Sequence, residues 1–228
     1  MKKIVIIPSG GKGLRLGTDI PKQYVKVNNK ELIAYTIDVF EQCDEIDEIV
    51  IAAQKDYFDL LNKIIKKYSF KKVLKIVEGG KERQDSVYNA LSSLSASNRD
   101  LILVHDAARP LLPQKVLLSA LQSAENFDNV VVGIKAKDTL IKGSDSVLSY
   151  VDRSEVFYAQ TPQIFRYGIL KSAMEKAIRK SFLGTDESML VHKASYKVKL
   201  VEGSVFNFKV TTKDDLDLFT SLVNNKLY

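Results

Sequence analysis

The sequence predicts an α/β protein whose central sheet is doubly wound and mostly parallel. Short runs of β-branched residues alternate with helical patterns along most of the 228 residues, and this alternation is typical of parallel sheets with helices on both faces. The strand candidates are almost continuously apolar, as expected of strands buried on both sides. Hydrophobic residues make up 45% of the chain and charged residues 27%, which are ordinary proportions for a globular protein.

The alternation begins at the first residues. Strands are predicted at Lys3–Pro8, Glu48–Ala53, Val73–Glu78, Leu101–Asp106 and Val130–Lys135. Helices are predicted between them at Leu32–Gln42, Tyr57–Lys67, Arg83–Leu94 and Lys115–Asn126. Later elements are predicted as helices at Gly168–Lys180, Asp186–Lys193 and Lys213–Asn225, with a strand at Lys197–Val201. No repeat or Pro/Ser-rich linker divides the chain, so we expect a single domain over residues 1–228.

Residues 138–161 interrupt this alternation. Two strand-like pieces flank the turn sequence GSDSV, and no helical pattern is present. This predicts an arm that leaves the main sheet. A two-stranded hairpin is only marginally stable in water, so we expect the arm to need a partner surface. A second copy of the chain is the most economical partner for a two-fold interface, which predicts a homodimer.

Charge and cysteine content exclude several function classes. Lys and Arg number 34 against 28 Asp and Glu, giving a net charge of +6. These lysines are mixed with acidic residues, so nucleic-acid binding is not expected, and a small anionic substrate accounts for the excess equally well. One cysteine, Cys43, excludes an internal disulfide and a cysteine-based zinc site. No stretch approaches the ~20 apolar residues that a membrane span needs. We expect a cytoplasmic protein with no membrane partner.

The turn after the first predicted strand is rich in glycine and basic residues. In PSGGKGLRLGTDIPKQY, Gly10, Gly11 and Gly13 are followed by Arg15 and Lys22. Glycines let backbone N–H groups approach an anion closely, so this turn predicts a polyphosphate site; the alternative is an ordinary β–α turn with solvated basic residues. The dinucleotide-binding and P-loop motifs are both absent.

Two further turns carry candidate binding groups. In EGGKERQDSVYNAL, the backbone at Gly80 and Lys81 could contact a base edge and Ser86 a base or ribose, although a plain turn before a capped helix is an equal alternative. In VHDAARP, Asp106 ends an apolar strand, where a carboxylate is a natural Mg²⁺ ligand beside substrate phosphates. Arg109 could contact a second anion, or pair with an aspartate that serves as a cap.

Hydroxyl and cationic residues recur in the second half of the chain. They occur in the segments DT, VDR, QTPQIF, GTDES and NFKVTTKDDL, as Thr139, Arg153, Thr161, Thr185 and Lys209. Several such groups beside turns would form a second phosphate site, separate from the glycine-rich turn.

Together these motifs resemble those of the 2-C-methyl-D-erythritol 4-phosphate cytidylyltransferases of isoprenoid precursor synthesis. The segments SGGKGLRLGTDIPKQY, GGKERQDSV, VHDAARP, QTPQIF, TDES and NFKVTT occur in the family's order. The resemblance implies a Rossmann-like fold with a protruding β-arm for dimerisation. It also implies an enzyme that uses CTP and Mg²⁺ to transfer CMP to a polyol phosphate.

The resemblance implies roles for individual residues. Ser9, Gly10, Gly11 and Gly13 would line the CTP loop, and Gly80, Lys81 and Ser86 would hold the cytosine and ribose. Arg15 and Lys22 would stabilise the pentacoordinate α-phosphate, and Asp106 would bind Mg²⁺. Arg109, Thr139, Arg153, Thr161, Thr185 and Lys209 would hold the acceptor, with Arg153 and Lys209 also counted as catalytic. Thr139 and Arg153 fall in the arm, so they would act across the dimer.

Three positions depart from the family pattern. Ser9-Gly10-Gly11 replaces the common Ala-Ala-Gly, and Lys81 stands where some members have Asp. Residues 203–208 contain no carboxylate, so a second acidic metal ligand is not expected there. The nearest alternative function is that of a ribitol-5-phosphate cytidylyltransferase. A non-catalytic nucleotide-binding regulatory module is the alternative from another class.

Overall fold

The order of helices and strands follows the predicted alternation closely. The computed structural model describes residues 1–11 and 20–227. Its strands are β1 (Lys3–Ser9), β2 (Lys26–Val27), β3 (Lys30–Glu31), β4 (Glu48–Ala53), β5 (Val73–Glu78), β6 (Leu101–Val104), β7 (Asn129–Lys135), β8 (Leu140–Gly143), β9 (Val147–Val151), β10 (Phe157–Arg166) and β11 (Lys199–Glu202). Its α-helices are α1 (Leu32–Glu41), α2 (Phe58–Tyr68), α3 (Arg83–Ser92), α4 (Gln114–Phe127), α5 (Tyr167–Arg179), α6 (Glu187–Lys193) and α7 (Lys213–Asn224).

Seven strands form one sheet in the order β11-β7-β10-β6-β1-β4-β5. In this sheet β1 pairs in parallel with β4 and β6, and β4 pairs in parallel with β5. At the other side, β11 is parallel to β7. By contrast, β10 runs antiparallel to both of its neighbours, β6 and β7. The prediction of a mostly parallel sheet is confirmed, with one reversed strand inserted between β6 and β7.

Helices pack on both faces of the sheet, and the side chains of β1 show why. Val5 and Ile7 belong to a buried cluster with residues of α1, α2 and α4. Ile4 and Ile6 belong to a second cluster with residues of α3, α5 and α6. All four side chains are fully buried, and burying each contributes about 1.5–3 kcal/mol. Because both faces of β1 are covered, its sequence is a continuous apolar run rather than an alternating one.

The arm is a separate antiparallel hairpin formed by β8 and β9. Its large apolar side chains face solvent: Leu148 is 72% exposed and Tyr150 is 68% exposed. The hairpin is shorter than the predicted arm, because residues 157–161 belong to the first half of β10, in which residues 157–159 pair with β7. Strand β10 was not predicted from the sequence. Its pairing with β7 is interrupted between Ala159 and Gln163, a stretch that contains Pro162.

None of the helices within the described ranges is long and apolar enough to cross a membrane.

The start of α7 is fixed by a capping box. The Thr212 hydroxyl accepts a hydrogen bond from the amide of Asp215 at 3.2 Å. The Asp215 carboxylate accepts bonds from the amides of Thr211 and Thr212 at 2.8 and 2.9 Å and from the Thr211 hydroxyl at 2.7 Å. Burial opposes ionisation of Asp215, but these hydrogen bonds outweigh it and lower its pKa to about 2. The cap therefore holds the segment that leads into α7 in place.

We expect Asp215→Asn to lower the free energy of unfolding at pH 7 by about 1 kcal/mol, a typical cost of a lost cap. The folded-state pKa lies below the ordinary value, so the carboxylate stabilises the fold above pH 4. The difference from wild type should shrink as the pH falls from about 4 toward 2. Denaturant unfolding measures both effects. Asp214→Asn removes the same charge from the same turn at an exposed residue; an equal loss in this control would contradict a capping role.

Candidate active site

A cavity of about 520 Å³ lies beyond the carboxyl ends of β1, β5 and β6. Ligands of doubly wound sheets bind at this edge. The loop after β1, the turn after β5, the loop after β6 and the segment before α7 all reach it. The lining residues that sequence analysis singled out are Ser9, Gly10, Gly11, Lys22, Gly80, Lys81, Ser86, Asp106 and Lys209. The structure thus brings together the predicted triphosphate loop, the predicted base-reading turn and the predicted metal ligand.

The other predicted site residues lie elsewhere. Gly13 and Arg15 fall outside the described residues. Arg109 and Thr161 both contact Asp106 without lining the cavity. Arg109 donates to the carboxylate, and the hydroxyl of the buried Thr161 accepts from the backbone amide. Thr139 and Arg153 are exposed next to the arm, and Thr185 is exposed just before α6. Sequence analysis placed these last five with the acceptor, and none of them lines the cavity of its own chain.

Two glutamines hold the carbonyl groups of the first loop. The Gln23 side chain donates to the carbonyls of Ser9 and Gly11 at 2.8 and 3.1 Å, and Gln54 donates to the carbonyl of Gly10 at 2.8 Å. Within residues 1–11 and 20–227, the N–H groups of Gly10 and Gly11 have no hydrogen-bond acceptor. With its carbonyls already bound, this loop can offer N–H donors to an anion. Sequence analysis missed both glutamines.

Lys22 is held against the segment before α7. Its ammonium donates to the carbonyl of Val210 at 2.6 Å. Val210 is fully buried, and Lys209 and Thr211 on either side of it line the cavity. Two cations from opposite ends of the chain therefore reach the same cavity.

The turn after β5 is tightly closed and requires glycine. A Cβ atom on Gly80 would lie 2.1 Å from the Cβ of Asp85, so a side chain there would collide with α3. The Ser86 hydroxyl accepts from the amide of Gly80 at 3.0 Å and donates to the carbonyl of Glu82 at 3.1 Å. Ser86 therefore shapes this turn through its own hydrogen bonds, as well as lining the cavity.

Asp106 is surrounded by three cations although it is only 7% exposed. Its Oδ1 accepts from Arg83 Nε at 3.1 Å. Its Oδ2 lies 3.0 Å from Lys209 Nζ and 3.4 Å from Arg109 Nε. Burial acts against the charged form, but the charges of Arg83, Lys209 and Arg109 outweigh it and hold the pKa of Asp106 well below its usual range. Asp106 is therefore a carboxylate at any physiological pH.

Arg83 and Glu187 belong to this cluster, and sequence analysis missed both as site residues. Arg83 Nη1 donates to the two carboxylate oxygens of Glu187 at 2.7 and 2.8 Å. Both lie inside motifs quoted above, GGKERQDSV and TDES. Their position within those motifs was the one feature that could have identified them as site residues. The local pattern does not show that a glutamate at the start of a helix will be buried.

A neutral histidine, His105, is linked to the backbone amide of Asp106 through the hydroxyl of Thr161. His105 is fully buried, and its Nε2 lies 3.0 Å from the carbonyl of Arg109. A carbonyl only accepts, so Nε2 carries the proton and Nδ1 accepts from the Thr161 hydroxyl at 3.1 Å. That hydroxyl in turn accepts from the amide of Asp106 at 3.1 Å. Burial lowers the pKa of His105 to about 4, so the ring is neutral at physiological pH and its role here is structural.

The donor set around Asp106 fits Mg²⁺. A single carboxylate lining a cavity is sufficient when substrate phosphates and water supply the remaining ligands. Among the residues described, no three Asp, Glu, His or Cys side chains converge as a metal site of their own. A metal bound here would therefore depend on the substrate for most of its ligands.

Comparison with known proteins identifies the family. The profile of "IspD: 2-C-methyl-D-erythritol 4-phosphate cytidylyltransferase" matches residues 3–225. An enzyme of that name from Clostridioides difficile (strain 630) is 41% identical over 222 residues, covering 96% of this chain and 93% of the relative. Another, from Syntrophotalea carbinolica, is 37% identical over 220 residues, covering 96% and 94%.

Solved structures give the same result. The 4-diphosphocytidyl-2C-methyl-D-erythritol synthase of Anaerococcus prevotii superposes with a TM-score of 0.85 at 29% identity, covering 98% of this chain and 99% of the other. The 2-C-methyl-D-erythritol 4-phosphate cytidylyltransferase of Thermus thermophilus gives a TM-score of 0.81 at 29% identity, covering 98% and 100%. The motifs, the fold and these similarities agree, and the chain belongs to the IspD family of 2-C-methyl-D-erythritol 4-phosphate cytidylyltransferases.

Proposed function

We propose that this chain transfers CMP from CTP to the phosphate of 2-C-methyl-D-erythritol 4-phosphate and releases pyrophosphate. The observation that carries the proposal is the single cavity in which the glycine loop, the turn after β5, two lysines and a buried carboxylate meet. A site that must hold two phosphorylated substrates needs several cations, and this cavity collects them from distant parts of the chain.

The proposed reaction requires positioning and charge rather than a covalent intermediate. A phosphate oxygen of the acceptor attacks the α-phosphorus of CTP in line, the bond from that phosphorus to the leaving oxygen breaks, and pyrophosphate departs. The attacking phosphate is already anionic, so no strong base is needed. His105 is buried and already bonded on both ring nitrogens. The protein's task is to bring two anions together and to stabilise the transition-state charge.

The proposed roles follow the positions around the cavity. The N–H groups of Gly10 and Gly11, with Lys22, would bind the phosphates of CTP. The backbone at Gly80 and Lys81, with Ser86, would bind the cytidine. Arg15 is proposed to act with Lys22 at the α-phosphate on the resemblance alone.

Lys209 is proposed to bind the acceptor phosphate, and Asp106 to bind Mg²⁺. Both reach the cavity, and their present contact at 3.0 Å places a cation site and an anion site side by side. When bound, Mg²⁺ would neutralise charge on the triphosphate. The resemblance assigns Arg109 to the acceptor, but it donates to the carbonyl of Asn207 at 2.7 Å and contacts Asp106, so we propose that it holds Asp106 in place.

The exposed arm supports a homodimer. Leu148, Tyr150 and Ile141, which pairs with Tyr150 across the hairpin, are all more than half exposed, and such a group of apolar side chains on one face marks an interaction surface. Arg153 and Thr139 are exposed near the arm and do not line the cavity of their own chain. We therefore propose that they contribute to the acceptor site of a second copy.

Substrate choice is tested by pyrophosphate release with panels of nucleotides and acceptors. With Mg²⁺ and 2-C-methyl-D-erythritol 4-phosphate, kcat/KM for CTP should exceed that for UTP by about 100-fold or more, because a pocket that bonds one base edge leaves buried groups unpaired with another. Comparable values for UTP would contradict base recognition at the Gly80 turn. Faster turnover of ribitol 5-phosphate would instead favour that alternative enzyme. No release with either acceptor, despite CTP binding, would favour a non-catalytic nucleotide-binding module.

Asp106→Asn should raise the Mg²⁺ concentration needed for half-maximal activity by about tenfold or more, because a neutral amide is a poorer ligand for a hard cation. A Mg²⁺ titration of the initial rate measures the shift. Asp128→Asn is the matched control: Asp128 pairs with Arg166 at 2.9 Å, and neither residue lines the cavity. If Asp106→Asn titrates like this control, Asp106 has only a structural role.

Mixing two inactive variants tests whether Arg153 acts across the dimer. Lys22→Ala and Arg153→Ala should each be nearly inactive alone. If Arg153 acts in trans, a mixed dimer has one site with both defects and one with neither. Random equal mixing should then restore about a quarter of wild-type activity, since half of the two-fold dimers are mixed. A lack of recovery after demonstrated subunit exchange would show that Arg153 does not complete the partner's site.

A further inference from the structure

We propose that Glu187 is a positioning residue for Asp106, acting through Arg83. This inference rests on the proposed function, in which Asp106 binds Mg²⁺. Glu187 neither contacts Asp106 nor lines the cavity itself, but it contacts Arg83, which does line it. It is linked to the carboxylate by one guanidinium group that contacts both acids.

Glu187 holds Arg83 in a fixed geometry. Its carboxylate is 1% exposed, and both of its oxygens accept from Nη1 of Arg83, at 2.7 and 2.8 Å. A buried carboxylate costs several kcal/mol unless it is paired, so this contact is not readily given up. The Nε of the same guanidinium donates to Oδ1 of Asp106 at 3.1 Å. Because the guanidinium is planar and rigid, fixing one side of it fixes the other.

The start of α6 is itself anchored, which makes Glu187 a firm support. Asp186 caps the helix by accepting from the amide of Met189 at 2.8 Å. Gln163 on β10 donates to Asp186 at 2.9 Å and accepts from the amide of Ser188 at 2.9 Å. The residues on both sides of Glu187 are thus bonded to the central sheet.

The two oxygens of Asp106 have different surroundings. Oδ1 is held by Arg83, which Glu187 holds in turn. Oδ2 has two cationic neighbours. Arg109, whose side chain is 12% exposed, lies 3.4 Å away and is also held by the carbonyl of Asn207, whereas Lys209 lies 3.0 Å away and its side chain is 37% exposed. Within the described ranges, Lys209 has no other ion pair, so its contact is the one that a bound cation can replace. We infer that Oδ2 is the oxygen that faces ligands, and that Glu187 and Arg83 keep it turned toward the cavity.

Charge gives Glu187 a second effect on the same site. The cluster contains three cations and two carboxylates. The cations are Arg83, Arg109 and Lys209, and the carboxylates are Asp106 and Glu187. Removing the charge of Glu187 leaves Asp106 as the one carboxylate paired with Arg83 among the described residues, and makes the surroundings of Asp106 more repulsive to a cation. Losing the partner that orients a metal ligand typically costs 10–100-fold in metal affinity or activity. Both effects weaken Mg²⁺ binding in the same direction.

Glu187→Gln keeps the size of the side chain and removes its charge. We expect the Mg²⁺ concentration for half-maximal pyrophosphate release to rise by about 10–100-fold. A second readout needs no turnover: calorimetry of CTP binding with and without Mg²⁺, in the absence of acceptor. The gain in CTP affinity that Mg²⁺ provides should fall in the variant, while CTP affinity in EDTA should not fall.

Glu31→Gln is the matched control for loss of a buried acid. Glu31 has a side-chain exposure of 6%, lies within 3.6 Å of Lys26 and Lys67, and accepts from the Tyr68 hydroxyl at 2.8 Å. It does not line the cavity. Thermal unfolding should show a loss of stability in both variants, and only Glu187→Gln should change the Mg²⁺ dependence. Equal stability losses with unchanged Mg²⁺ dependence in both would overturn the proposal.

A double-mutant cycle separates action through Asp106 from an independent effect. In the Asp106→Asn background, Glu187→Gln should raise the Mg²⁺ requirement much less than it does in wild type, because only its charge effect then remains; fully additive effects would contradict the proposal. If Glu187→Gln does not fold, Arg83→Lys keeps the charge but removes the rigid bridge, and it should show the same Mg²⁺ shift. If the wild-type protein released no pyrophosphate, the proposed function would be refuted, but the role of Glu187 would not. Calorimetry of CTP binding with and without Mg²⁺ would still test that role.

Discussion

The buried carboxylate of Asp106 is the constraint on which the site depends. A charge that is nearly removed from water must be compensated by nearby cations and hydrogen bonds. Arg83 comes from the start of α3, Arg109 from the loop after β6, and Lys209 from the segment before α7. The ion pairs that compensate Asp106 therefore bring three separate parts of the chain together at one edge of the sheet.

The antiparallel strand β10 contributes hydrogen bonds to this edge of the sheet. Because it is inserted between β6 and β7, it places Thr161 beside the backbone of Asp106 and Gln163 beside the start of α6. The interruption in its pairing with β7 falls between Ala159 and Gln163. A feature that departs from the regular parallel sheet thus provides two of the contacts that hold the candidate site. Irregular ladders are often found next to functional sites.

The chemistry of the cavity follows from its surplus of positive charge. Two phosphorylated substrates repel each other, and cations fixed in advance lower the cost of bringing them together. Lys22 and Lys209 reach the cavity from opposite ends of the chain, and Asp106 lies beside Lys209 as the carboxylate that we propose binds Mg²⁺. A further cation, Arg153, is exposed next to the arm and does not line the cavity of its own chain.

Local sequence patterns were sufficient to predict most of the strand–helix alternation, the family and much of the lining of the cavity. For example, β4 and β5 have the predicted bounds because their apolar runs end at chemically distinct turns. The place of β10, the shorter extent of the arm and the pairing of Arg83 with Glu187 became visible only in the folded chain. Those two residues lie 104 positions apart, and no local pattern shows that one will bury the other. Long-range pairing and burial arise only when the sheet is assembled, which is why sequence reasoning singled out Asp106, Arg109 and Lys209 and missed Arg83 and Glu187.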